Sequence, residues 1–377
     1  QAEDGIRDVE RSRGLGDVYK RQVVGPVNGL GYGVVCVNLV HGLTLCGARP
    51  YLRTWPENVP VTQEDVASFP PTVARSLHEA ADRYITERPY TVPHLHVWHE
   101  WLLGGPWVGK TVGMPFFETE PLLPHAIEPL KRCGKVVVTS AWARDLLVSS
   151  GVDAAYVMYA GIDPEVFHPA SRPSNRVFTF LHVGKFEIRK GIDILIEAFA
   201  RVHEKHSNTQ LYLLVDNPFH TKTDDRFGWY GETVRLINKA GVGDYVHVLR
   251  YRPTHKALAA LYRQVDCLVQ PSRGEGLGLP ALEAAACGTQ VVMTDNTGHG
   301  AFADKINAHI VPSHGLEPAV DDVFFFADQR RNWRTVKMKD VYEKMCDAIE
   351  RPKQPTVGKE LTWKAGARRL LNFLERI

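Results

Sequence analysis

A strand, a glycine-rich loop and a helix follow one another between Cys267 and Gly288, and this arrangement constrains the fold more than any other feature. The run Cys267–Gln270 is short and apolar and stops at Pro271, which predicts a buried parallel strand. Pro280 suits the first helical position, and Gly288 suits the residue after a helix end. In open α/β sheets, ligands bind where the strands end, and a helix N-terminus there favours anions. The loop is therefore predicted to line a binding crevice.

Two carboxylates belong to this segment. Glu275 lies in the loop and Glu283 lies just inside the helix, so both are predicted to face the crevice, where they can accept hydrogen bonds from hydroxyl groups such as those of a sugar. A phosphate fits against Gly278 and Leu279 at the helix start. Two glutamates at this spacing also arise about once by chance in a chain of this length, so the spacing alone is weak evidence.

The rest of the chain alternates between strands and helices in two successive series. The 377 residues suffice for two domains. We predict an α/β fold of two facing, Rossmann-like, doubly wound parallel-sheet domains with a cleft between them. The expected divisions are a first domain (23–168), a linker (169–176), a second domain (177–355) and a C-terminal helix that packs back toward the first domain (356–377).

Residues 1–22 resemble a translated sequencing adapter and are expected to stand outside the fold. The stretch lacks apolar periodicity, and its acidic and basic side chains cancel. The first authentic strand is expected to end at Val23–Val24. On this interpretation the true N-terminus and any targeting signal lie upstream.

Composition restricts the class of protein. The chain is 44% hydrophobic and 23% charged with a formal net charge of +2, which is typical of a globular protein and argues against nucleic-acid binding through a large basic face. The six cysteines show neither paired Cys-x-x-Cys spacing nor zinc spacing with histidines. We expect a reduced cytoplasmic protein. Peripheral contact with the inner face of a membrane is compatible with the sequence but not indicated by it.

A second glycine loop stands near the start, where Gly25–Gly33 separates a strand end from a predicted helix over 34–46. Gly29, Gly31 and Gly33 allow close approach of the backbone to a phosphate or sugar, although a glycine cluster of this kind is more often a plain turn. Aromatic residues among glycines and prolines in 101–121 suggest either an acceptor surface or ordinary core and turn packing.

The stretch Asp266–Thr289 closely resembles the donor-site signature of retaining glycosyltransferase family 4, the large GT-B group of glycogen-synthase-like and mannosyltransferase-like group 1 enzymes. The signature ends in Pro-Val-Val, whereas this chain has Gln290-Val-Val. Four further segments resemble the family in its order, and they are 117–124, 138–145, 161–169 and 184–191. Residues 300–360 resemble the family poorly.

The resemblance implies a nucleotide-diphosphate sugar held mainly by the second domain. At matching positions Glu283 would bind the ribose hydroxyls and Glu275 the transferred sugar. Lys185 and Lys190 would bind the diphosphate, although both could instead be solvated surface charges. The remaining predicted donor contacts are Gly31, Gly33, Gly276, Leu277, Gly278 and Leu279.

Three further residues are candidates in the first domain. His99 matches a family histidine beside the reacting sugar and is predicted to be catalytic together with Glu275, while His96 competes for the role. Glu118 and Ser140 are candidate acceptor and donor contacts, although helix capping explains Ser140 more simply. Base contacts are expected around Arg250–Arg252.

The predicted activity is retaining transfer of a hexosyl group to a sugar-bearing acceptor, which can be a glycan, a lipid-linked sugar or a small molecule. No Asp-x-Asp occurs in the chain, so neither a metal site nor a cofactor is expected, and the nucleotide sugar is a co-substrate. The alternative is a catalytically inactive GT-B-like protein that binds nucleotide sugars. No segment resembles the Schiff-base lysine site that phosphorylase chemistry would need.

Overall fold

The computed structural model describes residues 20–56, 61–89, 92–103, 111–152, 155–171, 177–217, 228–249, 253–321, 324–326 and 329–376. Within this part of the chain, two six-stranded sheets and one two-stranded hairpin form the framework. Among the described helices, none combines the length and the apolar character needed to cross a bilayer.

The first sheet has the strand order β2-β1-β3-β4-β5-β6, and every neighbouring pair is parallel. Its strands are β1 (Lys20–Gly25), β2 (Arg49–Thr54), β3 (His94–Val97), β4 (Thr111–Met114), β5 (Lys135–Val138) and β6 (Ala155–Val157). Its helices are α1 (Gly31–Leu45), α2 (Gln63–Ala67), α3 (Pro71–Glu87), α4 (Pro124–Arg132) and α5 (Ala141–Ser149).

The second sheet has the order β12-β11-β10-β7-β8-β9 and is also parallel throughout. Its strands are β7 (Phe178–Lys185), β8 (Thr209–Asp216), β9 (Val246–Leu249), β10 (Cys267–Gln270), β11 (Gln290–Thr294) and β12 (His309–Val311). Its helices are α6 (Ile192–Lys205), α7 (Trp229–Ala240), α8 (His255–Gln264), α9 (Leu279–Ala286) and α10 (Met338–Glu350). The antiparallel hairpin of β13 (Ser313–Pro318) and β14 (Asn332–Val336) lies outside both sheets.

Strand β1 begins earlier than the sequence suggested. Lys20–Gln22 pair with Arg49–Tyr51, and the side chain of Gln22 is buried, so the expectation that residues 1–22 stand outside the fold is wrong for its last three residues. Strand pairing uses backbone N–H and C=O groups, which every residue except proline offers in full whatever its side chain. Residues 1–19 lie outside the described part of the chain.

Loops at the carboxyl ends of both sheets face each other. The Thr139 hydroxyl, one residue after β5, donates a hydrogen bond to the Gly276 carbonyl at 3.1 Å. A Cβ atom on Gly276 would lie 2.8 Å from the Phe116 side chain, and one on Gly274 would lie 2.1 Å from the Glu118 carbonyl. The loop after β10 therefore packs closely on the loop after β4, which brings the two halves of the cleft together.

The last helix, α11 (Trp363–Leu374), belongs to the core of the first domain although it follows the second in sequence. Its buried face packs with α1, and the ring of Phe373 stacks on Tyr156 of β6 at 4.3 Å between centroids. The residues of this face are Trp363, Ala367, Leu370, Leu371 and Leu374. Because its apolar residues recur at helical spacing, the helix could be predicted from sequence.

Leu370 offers a test of this packing because its side chain is fully buried. Leu370→Ala should lower the free energy of unfolding of the first domain by about 2–5 kcal/mol, as expected when a buried leucine leaves a cavity. Urea unfolding followed by circular dichroism would measure the change. Lys364→Ala, at an exposed position of the same helix, is the matched control. An equal effect of both variants would show that the helix does not pack as described.

Candidate active site

The loop between β10 and α9 has the conformation that the glycines predicted. Gly278 has φ +84, and a Cβ atom there would lie 2.2 Å from the His299 ring, so only glycine fits. Helix α9 starts at Leu279, so Pro280 stands at its second position rather than the first. Gly288 follows the helix with φ +80. The two glycines thus stand at the two ends of α9, Gly278 directly before its first residue and Gly288 after its last turn.

Glu275 is buried, and its carboxylate is bound by two cations. Lys190 donates from Nζ to Oε1 and Oε2 at 2.7 Å each, and Arg189 Nη1 lies 3.5 Å from Oε2. The Ser272 hydroxyl donates to Oε1 at 2.7 Å. Burial alone would raise the pKa of Glu275, but the nearby cations Lys190 and Arg189 outweigh it and hold the pKa well below its usual range. Glu275 is therefore ionised at neutral pH.

Arg189 connects the charged residues of this site to one another, and it was not identified from the sequence. Its side chain is almost wholly buried and donates to the Gly274 carbonyl at 2.6 Å and to Glu187 at 2.5 Å. It also forms a 3.1 Å ion pair with Glu118 of the first domain. The only available signal was the cluster of basic residues in 184–191, in which nothing marks the arginine as the buried one.

Lys185, predicted to bind diphosphate, lies at the carboxyl end of β7. Its ammonium forms a 2.6 Å ion pair with buried Glu187 and lies 4.7 Å from the centre of the Phe324 ring. Glu187 has a pKa lowered to about 2, because the attraction of Arg189, Lys185 and Lys190 outweighs its burial. Lys185 and Lys190 are thus members of an ion-pair cluster, in which the side chain of Lys190 is 12% exposed and that of Lys185 is 32% exposed.

Glu283 has different surroundings from Glu275. It is buried in α9, and its Oε2 accepts a 3.2 Å hydrogen bond from the Tyr262 hydroxyl. Burial raises the pKa of Glu283 to about 7, and the bond from Tyr262 opposes the shift only in part. No cation forms an ion pair with it within the described residues. The two carboxylates of the motif therefore differ, one held ionised and one near half-protonation at neutral pH.

His99 stands two residues beyond β3, and its Nδ1 lies 3.3 Å from the Tyr32 hydroxyl of α1. Burial, with smaller contributions from Lys185 and Arg331, lowers the pKa of His99 to about 4, so the ring is neutral at pH 7. His96 lies inside the sheet with no exposed surface, and its ring meets Trp55 edge-on. Of the two histidines, His99 is the one at the carboxyl end of the strand.

The other predicted residues have varied surroundings. Gly31 is exposed at the start of α1, whereas a Cβ atom on Gly33 would lie 2.3 Å from the Asn28 carbonyl oxygen. Leu277 is buried against the core of the first domain, and Leu279 packs beside it. These last two contacts join the domains.

Ser140 caps α5, since its Oγ accepts from the Ala143 N–H at 3.1 Å. It also lines an interdomain cavity of about 300 Å³ with Trp142, Asp295, Thr297 and Arg334 among others. The predicted base-contact region Arg250–Arg252 and residues 104–110 of the aromatic loop lie outside the described residues. In the part of the chain that the structure covers, no group of histidine, cysteine and acidic side chains has the arrangement of a metal site.

Comparison with known proteins agrees with this geometry. The family model for glycosyl transferases group 1 matches residues 165–313. This segment is therefore similar to the group 1 glycosyltransferase domain. The two facing sheets have the GT-B fold, as in sucrose-phosphate synthase from Thermosynechococcus elongatus, which is 18% identical with a TM-score of 0.67 and aligns over 95% of this chain and 98% of that one. The UDP-forming trehalose-phosphate synthase from Burkholderia xenovorans has a TM-score of 0.59 at 11% identity, over 94% of this chain and 96% of that one.

A curated relative is more similar to this chain in sequence. The D-inositol 3-phosphate glycosyltransferase of Arthrobacter sp. is 32% identical over 168 residues, which is 41% of this chain and 38% of that protein. Matches to other proteins of the same name cover about half of their length or less. The similarity thus spans only part of the curated relatives.

The raised pKa of Glu283 predicts a dependence of stability on pH. Because the folded protein holds this proton more tightly than the unfolded chain, stability should fall as pH rises from about 4.5 to about 7. Glu283→Gln keeps an acceptor for Tyr262 without a charge. It should match the wild type near pH 4.5 and exceed its free energy of unfolding by up to about 3 kcal/mol at pH 8.

Urea titrations at several pH values would measure the difference. Glu197→Gln, at an exposed position of α6, is the control and should show no such pH window. A stability gain that is equal at pH 4.5 and pH 8 would contradict the shifted pKa.

Proposed function

We propose that this protein transfers a hexosyl group from a nucleotide-diphosphate sugar to a hydroxyl of a sugar-bearing acceptor, with retention of configuration. The observation that carries the proposal is the buried ion-pair cluster around Glu275, in which Arg189 links Glu275 to Glu118 across the cleft. The group 1 glycosyltransferase domain and the relatives named for glycosyl transfer support the same chemistry. The acceptor can be a glycan, a lipid-linked sugar or a small molecule.

The donor would lie along the carboxyl ends of the second sheet. The diphosphate would face Lys185, Lys190 and the N-terminus of α9, whose dipole is suited to anions. Glu275, ionised by its cations, would accept hydrogen bonds from the sugar hydroxyls. Glu283 would accept them from the ribose, and loss of its proton when a hydroxyl donor arrives would suit its pKa of about 7.

In the reaction, the bond between the anomeric carbon and the diphosphate oxygen breaks while a bond to the acceptor oxygen forms on the same face. The acceptor proton passes to the leaving phosphate oxygen. The cations stabilise the charge that develops on the diphosphate. His99 is neutral at pH 7, so its role would be to hydrogen-bond a sugar hydroxyl rather than to donate a proton as an acid. Contact between the two domains would limit access of water.

Nucleotide release from UDP-, GDP- and ADP-sugars, measured with and without acceptors, tests this function. Glu275→Gln should lower kcat by about 100-fold or more, because the amide cannot hold Lys190 and Arg189 as the carboxylate does. Glu232→Gln, which alters an exposed ion pair of α7, should leave kcat unchanged. Thermal unfolding of each variant would show whether the fold is intact.

Binding of a nucleotide sugar without turnover by the wild type would favour the alternative, an inactive GT-B-like binding protein. Equal kcat values for Glu275→Gln and the wild type would contradict the assigned role of Glu275.

We also propose that transfer needs no metal ion. Lys185, Lys190, Arg189 and the N-terminus of α9 would instead supply the positive charge that neutralises the diphosphate. Turnover should be the same after treatment with EDTA and after addition of Mg²⁺. Steady-state rates under both conditions would measure this. Loss of turnover in EDTA with recovery in Mg²⁺ would overturn the proposal.

A further inference from the structure

The hairpin of β13 and β14 connects the two sides of the cleft. The backbones of Asn332 and Glu120 exchange two hydrogen bonds of 2.7 and 2.9 Å, which attach the start of β14 to the first domain. Arg334 adds a 2.8 Å ion pair to Glu120. On the other side, Glu317 of β13 accepts from Arg273, the residue before the Gly274–Leu279 loop, at 3.0 Å. The hairpin is therefore held to both domains beside the candidate active site.

The described residues of the segment between the two strands lie beside the site. Asp321 Oδ1 accepts hydrogen bonds from the backbone N–H groups of Phe324 and Phe325 at 2.7 and 3.0 Å. Phe325 packs with Trp333 and Ala319 in a small core, while the Lys185 ammonium lies over the Phe324 ring. These contacts place Phe324 next to Lys185.

Arg331 is the last residue of the segment between β13 and β14, directly before Asn332. Its guanidinium is half-buried, lies 5.1 Å from the centre of the Phe325 ring, and donates to Gln329 Oε1 at 3.1 and 3.3 Å. Within the described residues, no carboxylate lies at ion-pair distance from it. Glu100, Glu118 and Asp321 are the acidic groups near enough to act on it, yet burial prevails and lowers the pKa of Arg331. Its charge also acts on His99, together with that of Lys185.

The other cations of the cleft differ from Arg331 because they belong to ion pairs. Lys185, Arg189 and Lys190 are paired with the carboxylates Glu118, Glu187 and Glu275 in one cluster, so three positive charges meet three negative ones. Such a cluster is neutral as a whole, so an anion gains less from it than it would from the same cations without their carboxylates. Arg331 stands outside this cluster, and within the described residues its acidic neighbours Glu100, Glu118 and Asp321 act on it from beyond ion-pair distance. An anion bound directly to its half-buried guanidinium would form the charged hydrogen bonds that these neighbours do not.

We propose that Arg331 is a phosphate-binding residue of the cleft, where it and Lys185 hold a phosphoryl group beside His99. This inference rests on the proposed function for the source of the phosphoryl group, which is either the donor diphosphate or a phosphate on the acceptor. The place of Arg331 favours the diphosphate, because Lys185, beside which it lies, is one of the residues proposed to face that group. The hairpin would then contribute directly to substrate binding.

The test compares Arg331→Gln with Arg330→Gln, which removes the same charge from the exposed neighbour in the same hairpin. Isothermal titration with inorganic pyrophosphate, UDP, GDP and ADP measures binding without turnover. Arg331→Gln should weaken binding of pyrophosphate and of the nucleoside diphosphate by about 10-fold to 100-fold, and Arg330→Gln by less than about threefold, as expected for loss of one charged hydrogen bond. Arg331→Lys should retain part of the affinity and serves if Arg331→Gln does not fold.

A second measurement separates the two sources. If the phosphate belongs to the acceptor, Arg331→Gln should leave nucleoside diphosphate binding unchanged and weaken binding of inositol 3-phosphate relative to inositol. Equal affinities of wild type, Arg331→Gln and Arg330→Gln for all of these ligands would overturn the proposal, as would a wild type that binds none of them. Binding that depends on Arg331 in a protein without transfer activity would support the site and refute the proposed function.

Discussion

The buried guanidinium of Arg189 is the group on which the arrangement of the cleft depends. It contacts Glu187 and the Gly274 carbonyl in its own domain and Glu118 in the other, and it lies 3.5 Å from Glu275. A buried charge is tolerated only when it is paired and hydrogen-bonded, so each of these partners must stay in place for the others to be stable. The side chain of Arg189 thereby couples the conformation of the loop between β10 and α9 to the position of the first domain.

The same cluster explains how two glutamates of one motif acquire different properties. Glu275 has two cations beside its carboxylate, which keep it ionised, whereas Glu283 accepts a hydrogen bond from the Tyr262 hydroxyl and, within the described residues, has no ion pair, so burial dominates and its pKa rises. Under the proposed function, the two carboxylates would bind different hydroxyl groups of the donor, each in its own electrostatic environment. Arg331 differs from both glutamates, because it is a cation and lies beside a hairpin that belongs to neither sheet.

Much of the fold could be predicted from local patterns. The bounds predicted for Cys267–Gln270 agree with the strand observed, because a short apolar run that ends at a turn residue has few other uses in a sheet protein. The amphipathic terminal helix was predicted from its spacing, and capping by Ser140 from its residue type. The strand start at Lys20 was missed because backbone pairing leaves no side-chain signal.

By itself, the sequence determined the two α/β series and the glycines that the Glu275–Leu279 loop and the end of α9 require. Its candidate residues for binding a nucleotide sugar stay predictions. It could not determine which basic residue of 184–191 is buried, nor that the poorly matching region 300–360 contributes a hairpin that reaches the first domain. Those features depend on contacts between residues far apart in the chain, and the energy of a charge is set by its surroundings rather than by its neighbours in sequence. Only the tertiary structure therefore decided which charges are paired, which are buried, and which remain available to a substrate.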